Sequence, residues 1–161
     1  MSEIKIMYNF VLYLNKQMFS KTCTYGIKAT LFIAQKSQLD ERVSLKEIAA
    51  AIDSPVAFTA KILQVLAKEN IINSIKGPKG GFEIDKAALP KITIKQVVKA
   101  IDGDSLFIGC ALGLRECNEK KPCPMHDHFV SIRDQLNETL ASSNLLNVAI
   151  DLNQGLTVLK R

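Results

Sequence analysis

The chain has 161 residues, 47% hydrophobic and 23% charged, so it is globular and sized for one domain or a domain with a helical appendage. Its net charge of +5 is uneven: residues 18–101 hold 13 Lys/Arg against 7 Asp/Glu (net +6), and residues 102–161 hold 6 against 8 (net −2). No stretch reaches the ~18 apolar residues of a membrane span, and there is neither a phosphate loop nor a nucleophile elbow, which leaves catalytic readings thin.

Residues 1–17 carry apolar Ile4, Ile6, Met7, Phe10, Val11, Leu12 and Leu14, interrupted by Glu3, Asn9 and Asn15. No small-residue cleavage site follows, so this stretch reads as an N-terminal extension before Met18 and not as a secretory signal. Ser20 to Ala34 reads as a helix burying Ile27, Leu31 and Ala34. Polar Gln35–Arg42 reads as a loop. Ser44 and Glu47 form a capping-box pattern that opens a short helix, Leu45–Ile52. After Asp53, Ser54 is expected to cap the next helix, with Pro55 at its first position, where a missing N–H is harmless. That helix runs to about Lys68, with Ile62, Leu63, Val65 and Leu66 inward and Ala57, Thr59, Ala60 and Lys61 exposed near its start. Two short helices across a tight turn outline a helix-turn-helix; a helical hairpin buried in a core has the same pattern.

The next segment favours the first reading. Ile71–Ile75 and Gly81–Ile84 read as strands, joined by Lys76-Gly-Pro-Lys-Gly-Gly81. A basic hairpin directly after a helix-turn-helix is a wing, whose lysines can meet phosphates or the minor groove. Thr93 and Gln96 form a second capping-box pattern, opening a helix that ends near Ile101, before Asp102-Gly-Asp104. A long helix is expected from Asp127, with Phe129, Ile132, Leu136 and Leu140 on one stripe that suits a partner copy. The stripe also suits the helix's own domain. After Ser143 the apolar residues are scattered. The expected fold is mainly α with a small β-hairpin wing (α+β). Its parts are an extension (1–17), a winged helix-turn-helix domain (18–101), a cysteine-rich loop (102–126), and a dimerisation helix with a tail (127–161).

That loop holds Cys110, Cys117 and Cys123, with His126 following as C-x2-H. Four cysteines without a signal peptide point to a reducing, cytoplasmic setting and to free or metal-bound thiols. Three soft thiolates and an imidazole suit iron–sulfur or tetrahedral zinc. Unliganded thiols, or a transient disulfide, are the alternative. Cys23 reads as a small buried apolar residue, and His128 as a surface residue.

On Phe19-Ser-Lys-Thr-Cys-Thr-Tyr-Gly-Ile-Lys-Ala29, the helix-turn-helix from Ser44 to Lys68, the wing Ile75–Phe82 and the three-cysteine loop, the chain resembles a family of winged-helix regulators. That family includes IscR, NsrR and CymR, and the resemblance spans roughly residues 18–142. It implies a homodimer on palindromic double-stranded promoter DNA, with a recognition helix in each major groove and a wing in the minor groove. By position it implies DNA contacts from Lys21, Tyr25 and Lys28 near the first helix, from Ser54, Ala57, Thr59 and Lys61 on the second element of the motif, and from Lys76 on the wing. Lys79, where the family commonly has glycine, adds charge there. It further implies a 2Fe–2S or 4Fe–4S cluster on Cys110, Cys117 and Cys123, with His126 at the position of the IscR histidine. The interval C-x6-C is one residue longer than is usual for IscR. Other members keep the fold without these cysteines and answer to a small molecule or a partner protein.

Overall fold

The computed structural model describes residues 18–110 and 112–159; the reading of residues 1–17 lies outside them. The described elements are helices α1 (Lys21–Gln38), α2 (Leu45–Ala51) and α3 (Val56–Lys68), strands β1 (Asn73–Ile75) and β2 (Gly81–Glu83), and helices α4 (Ile94–Asp102), α5 (Ser105–Ile108), α6 (His126–Ser142) and α7 (Leu145–Asn153). One hydrophobic cluster runs through them, with buried residues from all seven helices.

Helix α1 is the spine. Ser20 caps it, its hydroxyl accepting from the Cys23 N–H at 3.0 Å. The buried face is Cys23, Gly26, Ala29, Thr30, Ile33, Ala34 and Ser37, whereas Ile27 and Leu31, expected inside, are only partly covered. The helix also runs past its expected end at Ala34. The Ser37 hydroxyl is the reason: it accepts from the Ile84 N–H at 2.9 Å and so holds the last turn against the wing.

Helices α2 and α3 turn through 108° across their short break, within the roughly 90–120° of a helix-turn-helix. The Ser44–Glu47 capping box is complete. The expected cap of α3 is not as read. Pro55 is the cap residue, and Ser54 makes no side-chain cap bond. Asp53 takes a positive φ of 55°, which lets the Ser54 N–H reach back to the Ala49 carbonyl at 3.0 Å. Ser54 therefore closes α2 instead of opening α3. Val65, expected inward, is 40% exposed.

Strands β1 and β2 pair antiparallel with Ser74 opposite Phe82, and Val43 bridges Phe82 from the other side. The Thr93–Gln96 capping box starts α4 as expected. The unread tail forms α7, capped by Asn144. Leu145 and Ala149 are fully buried, and the Asn153 amide donates to the Gln35 carbonyl and the Gln38 side chain of α1. The α6–α7 junction is clamped to α4: Ile94 N–H donates to Ser143 at 2.9 Å and Leu145 N–H to Ile92 at 2.9 Å. No single described helix is long and apolar enough to cross a membrane.

The wing tip depends on Gly80. A Cβ there would lie 2.2 Å from the Ile75 carbonyl oxygen and 2.8 Å from that of Gly77, both backbone atoms. Gly80→Ala is expected to destabilise the protein by about 1–3 kcal/mol, read by denaturant unfolding; an unchanged midpoint would show that the tip opens without cost.

Candidate metal centre and nucleic-acid interface

The cysteine loop leaves α5 at Gly109 and re-enters helix at His126, the first residue of α6. Between them, Asn118 builds a turn. Its side-chain oxygen accepts from the N–H groups of Lys120 and Lys121 at 2.9 and 3.1 Å, and its amide donates to the Glu116 carbonyl at 3.0 Å. The turn folds Cys123 back onto Cys117, whose Sγ accepts from the Cys123 N–H at 3.4 Å. At the other end, Arg133 of α6 donates to the Gly109 carbonyl at 3.1 Å, holding the residue before Cys110.

The result is a donor cluster. The Sγ atoms of Cys110, Cys117 and Cys123 all lie within 4.8 Å of one another, and those of Cys110 and Cys123 are 3.8 Å apart. His126 Nδ1 sits 3.2 Å from Cys117 Sγ. Zn–S bonds of about 2.3 Å in a tetrahedron put sulfurs about 3.8 Å apart, the spacing of the Cys110 and Cys123 sulfurs, with Cys117 close by. Soft thiolates with one imidazole suit iron–sulfur or zinc and not a hard cation. The residues present therefore fit a thiophilic centre. A cavity of about 670 Å³ lined by Cys110, Cys117, His126, Asp127 and Arg133 opens beside it.

The thiols differ. Backbone N–H donors at Leu114 and Leu112, together with hydrogen bonds from Cys117 and Cys123, bring Cys110 down to about 7 despite its partial burial. The Cys123 backbone N–H pulls Cys117 down, but desolvation and its two cysteine neighbours outweigh it, and its thiol rises. Cys23 is separate. It lies in the core, where burial first, and then the charge and hydrogen bond of Asp102, push its thiol up to about 12.

Away from the cysteine loop in sequence, α3 presents Ala57, Lys61 and Gln64 to solvent, and the wing presents Lys76 and Lys79. Lys21 is exposed at the start of α1. The Tyr25 ring packs edge-on against Phe58 at 5.7 Å, with the Lys28 ammonium 5.9 Å from the Tyr25 ring centre. Thr59 is not on this surface: it is fully buried, and its hydroxyl donates to the Pro55 carbonyl at 3.1 Å. It is removed from the expected contacts because it falls on the inward face with Ile62, Leu63 and Leu66. Ser54 is half-buried, and its Oγ has no hydrogen-bond partner. Two residues escaped the sequence reading. Gln64 lies on the exposed face, one turn beyond Lys61, and helical spacing from Ala57 could have found it. Arg42 pairs with Glu83 at 2.5 Å and donates to the Lys79 carbonyl at 3.3 Å, bracing the wing from outside. Those partners are too distant in sequence for a local pattern to reveal.

Residues 19–151 match the Rrf2 family, described as an iron-dependent transcriptional regulator. A provisionally named HTH-type transcriptional regulator of Aquifex aeolicus is 30% identical over 123 residues, covering 75% of this chain and 83% of the relative. The HTH-type transcriptional regulator IscR of Photorhabdus laumondii is 26% identical over 121 residues, 75% of this chain and 72% of its own length. The structure of CymR, the global cysteine regulator of B. subtilis, superposes with a TM-score of 0.66 at 22% identity, covering 85% of this chain and 96% of CymR. Such a likeness carries the winged-helix fold.

Thiolates alkylate and thiols do not. In the metal-free, reduced protein, Cys110 should therefore react with iodoacetamide at a rate that rises with pH through a midpoint near 7. Cys23 should stay unmodified until the protein unfolds. Peptide mass spectrometry after timed labelling checks both, and equal labelling of the two at pH 7 contradicts the assignment.

Proposed function

The chain belongs to the Rrf2 family of transcriptional regulators, and from that premise we propose a homodimeric, cytoplasmic regulator whose grip on promoter DNA is set by an iron–sulfur cluster. Cys110, Cys117, Cys123 and His126 would hold the cluster. The observation that carries this reading is the convergence of three thiols within 4.8 Å at the junction of the winged domain and α6, with His126 against one of them. The family description, an iron-dependent transcriptional regulator, supports an iron-bearing centre. When bound, the cluster supplies chemistry sensitive to redox state, nitric oxide or iron–sulfur supply.

The chain's own residues do the rest. Cys110 follows α5, and His126 begins α6, so any ligand they share ties the two helices at one point. Helix α6 is the dimer element in this reading. Phe129 and Ile132 are exposed on it, Ile132 at 58%, and they suit the same face of a second copy. Two copies joined through α6 set the spacing of two α3 helices, and loss of the shared ligand relaxes that spacing. Zinc is the second reading, favoured by the 3.8 Å spacing of Cys110 and Cys123, which matches a tetrahedral site.

Anaerobic purification followed by visible absorption and assay of iron and acid-labile sulfide separates these. Iron with sulfide in the wild type, and its loss in Cys117→Ala, is the expected result. Colourless protein with stoichiometric zinc would replace the first reading with the second. For the DNA interface, log affinity should fall steeply with log salt, and Lys76→Ala should reduce that slope by about 1 while weakening all sequences alike. A slope near zero in the wild type would remove the DNA-binding reading.

A further inference from the structure

The operator class is written on α3. Thr59, Ile62, Leu63 and Leu66 turn inward, so only the opposite face is open to a ligand. Along that face Ala57, then Ala60 and Lys61, then Gln64 recur at one-turn spacing. Val56 at the helix start is 45% exposed and Val65 near its end 40%, so sizeable aliphatic groups stand in solvent on either side of Lys61. Helix α3 contains no Asp, Glu, Arg or Asn.

These absences and presences narrow what the helix can recognise. A carboxylate is the usual acceptor for the cytosine amino group, and α3 has none. Alanine and other small aliphatic groups pack on the C5-methyl group that only thymine carries in the major groove. Glutamine pairs in bidentate fashion with N6 and N7 of adenine. One cation, Lys61, sits between the methyl-bearing and the amide-bearing parts, and its match is N7 and O6 of guanine.

We infer that α3 reads a predominantly A·T half-site. Ala57 and Ala60 meet thymine methyl groups, Gln64 pairs with an adenine, and Lys61 takes a guanine between them. This rests on the reading of α3 as the base-facing helix and adds which bases it faces. It also explains the exposed valines: aliphatic surface that is costly in water is covered when methyl-rich DNA docks.

The test begins with selection of bound duplexes from a random pool by the full-length protein. The selected half-site should be rich in A·T steps with one G·C pair. Thymines in it are then replaced one at a time by deoxyuridine, which deletes the methyl group and leaves the pairing intact. Loss of about fourfold in affinity is expected at each thymine under Ala57 or Ala60. The exposed Gln64 is changed to alanine, and the variant should lose about tenfold of its preference at one adenine while its salt slope stays that of the wild type. Uracil tolerated at every position, or Gln64→Ala with unchanged base preferences, would each overturn the inference. The absence of any salt-dependent DNA binding would instead overturn the reading beneath it, so the two failures are distinct.

Discussion

Asp102 joins the two ends of the winged domain. Its carboxylate accepts both the Ser20 N–H and the Ser20 hydroxyl, at 3.0 and 2.5 Å, while that hydroxyl caps α1 through Cys23. A negative charge at a helix N-terminus is favourable in itself, because it meets the unpaired N–H groups and the positive end of the helix dipole. Here it comes from the last residue of α4, so the cap is also a clasp between elements 82 residues apart. Gly26 permits the approach of the two helices: a Cβ there would meet Ile101 Cδ1 at 2.1 Å. Burial first, and then the same carboxylate, keep the neighbouring Cys23 thiol protonated, so this fourth cysteine serves the core as an apolar body and takes no part in the donor cluster.

What was legible in the chain was local. A capping box spans four residues, so both boxes could be read and both are complete. The wing is a five-residue tip between two short strands, and it formed where its glycines and lysines pointed. The places that differ are those where a distant partner decides. The last turn of α1 is held by a hydrogen bond from Ile84, just past β2, and α7 packs on the surface that α1 offers it; the α3 cap is displaced more locally, because the Ser54 N–H answers to Ala49 of α2. Thr59 shows a narrower failure. Its type suits a base contact, but helical phase decides which way it points, and a one-residue error in phase turns a side chain by about 100°. In the donor cluster, residue types and intervals named the three cysteines and the histidine. The Asn118 turn and the Arg133 bond that bring them together carry no recognisable spacing.

The loop is held unequally at its two ends, and that inequality decides which part can move. On the Cys110 side, α5 is fixed to α4 in two ways. Lys99 pairs with Asp104 at 3.1 Å, but both side chains are solvated, and such pairs contribute about 0–1 kcal/mol. Phe107 is only 8% exposed, and burying such a ring contributes about 1.5–3 kcal/mol. The buried ring, with the Lys95 ammonium 5.4 Å from its centre, is therefore the stronger tie. On the His126 side, α6 buries only Leu140, about four turns away from the histidine, and its far end is clamped through Ser143 to Ile94.

A helix pinned at its C-terminal end and little covered along its first half behaves as a lever. Its N-terminal end carries His126, and Arg133, one bond away from the start of the loop, lies about two turns along it. In the proposed reading, drawing His126 toward the thiols would move the half of α6 that bears Phe129 and Ile132 more readily than the winged domain packed on α1. The inward path is closed by packing: α1, α4 and α7 share one buried core, tied further by the Ser20–Asp102 and Asn153–Gln35 hydrogen bonds, and a close-packed core yields far less readily than a solvated helix. In that reading a small shift among four side chains becomes reorientation of an exposed apolar face.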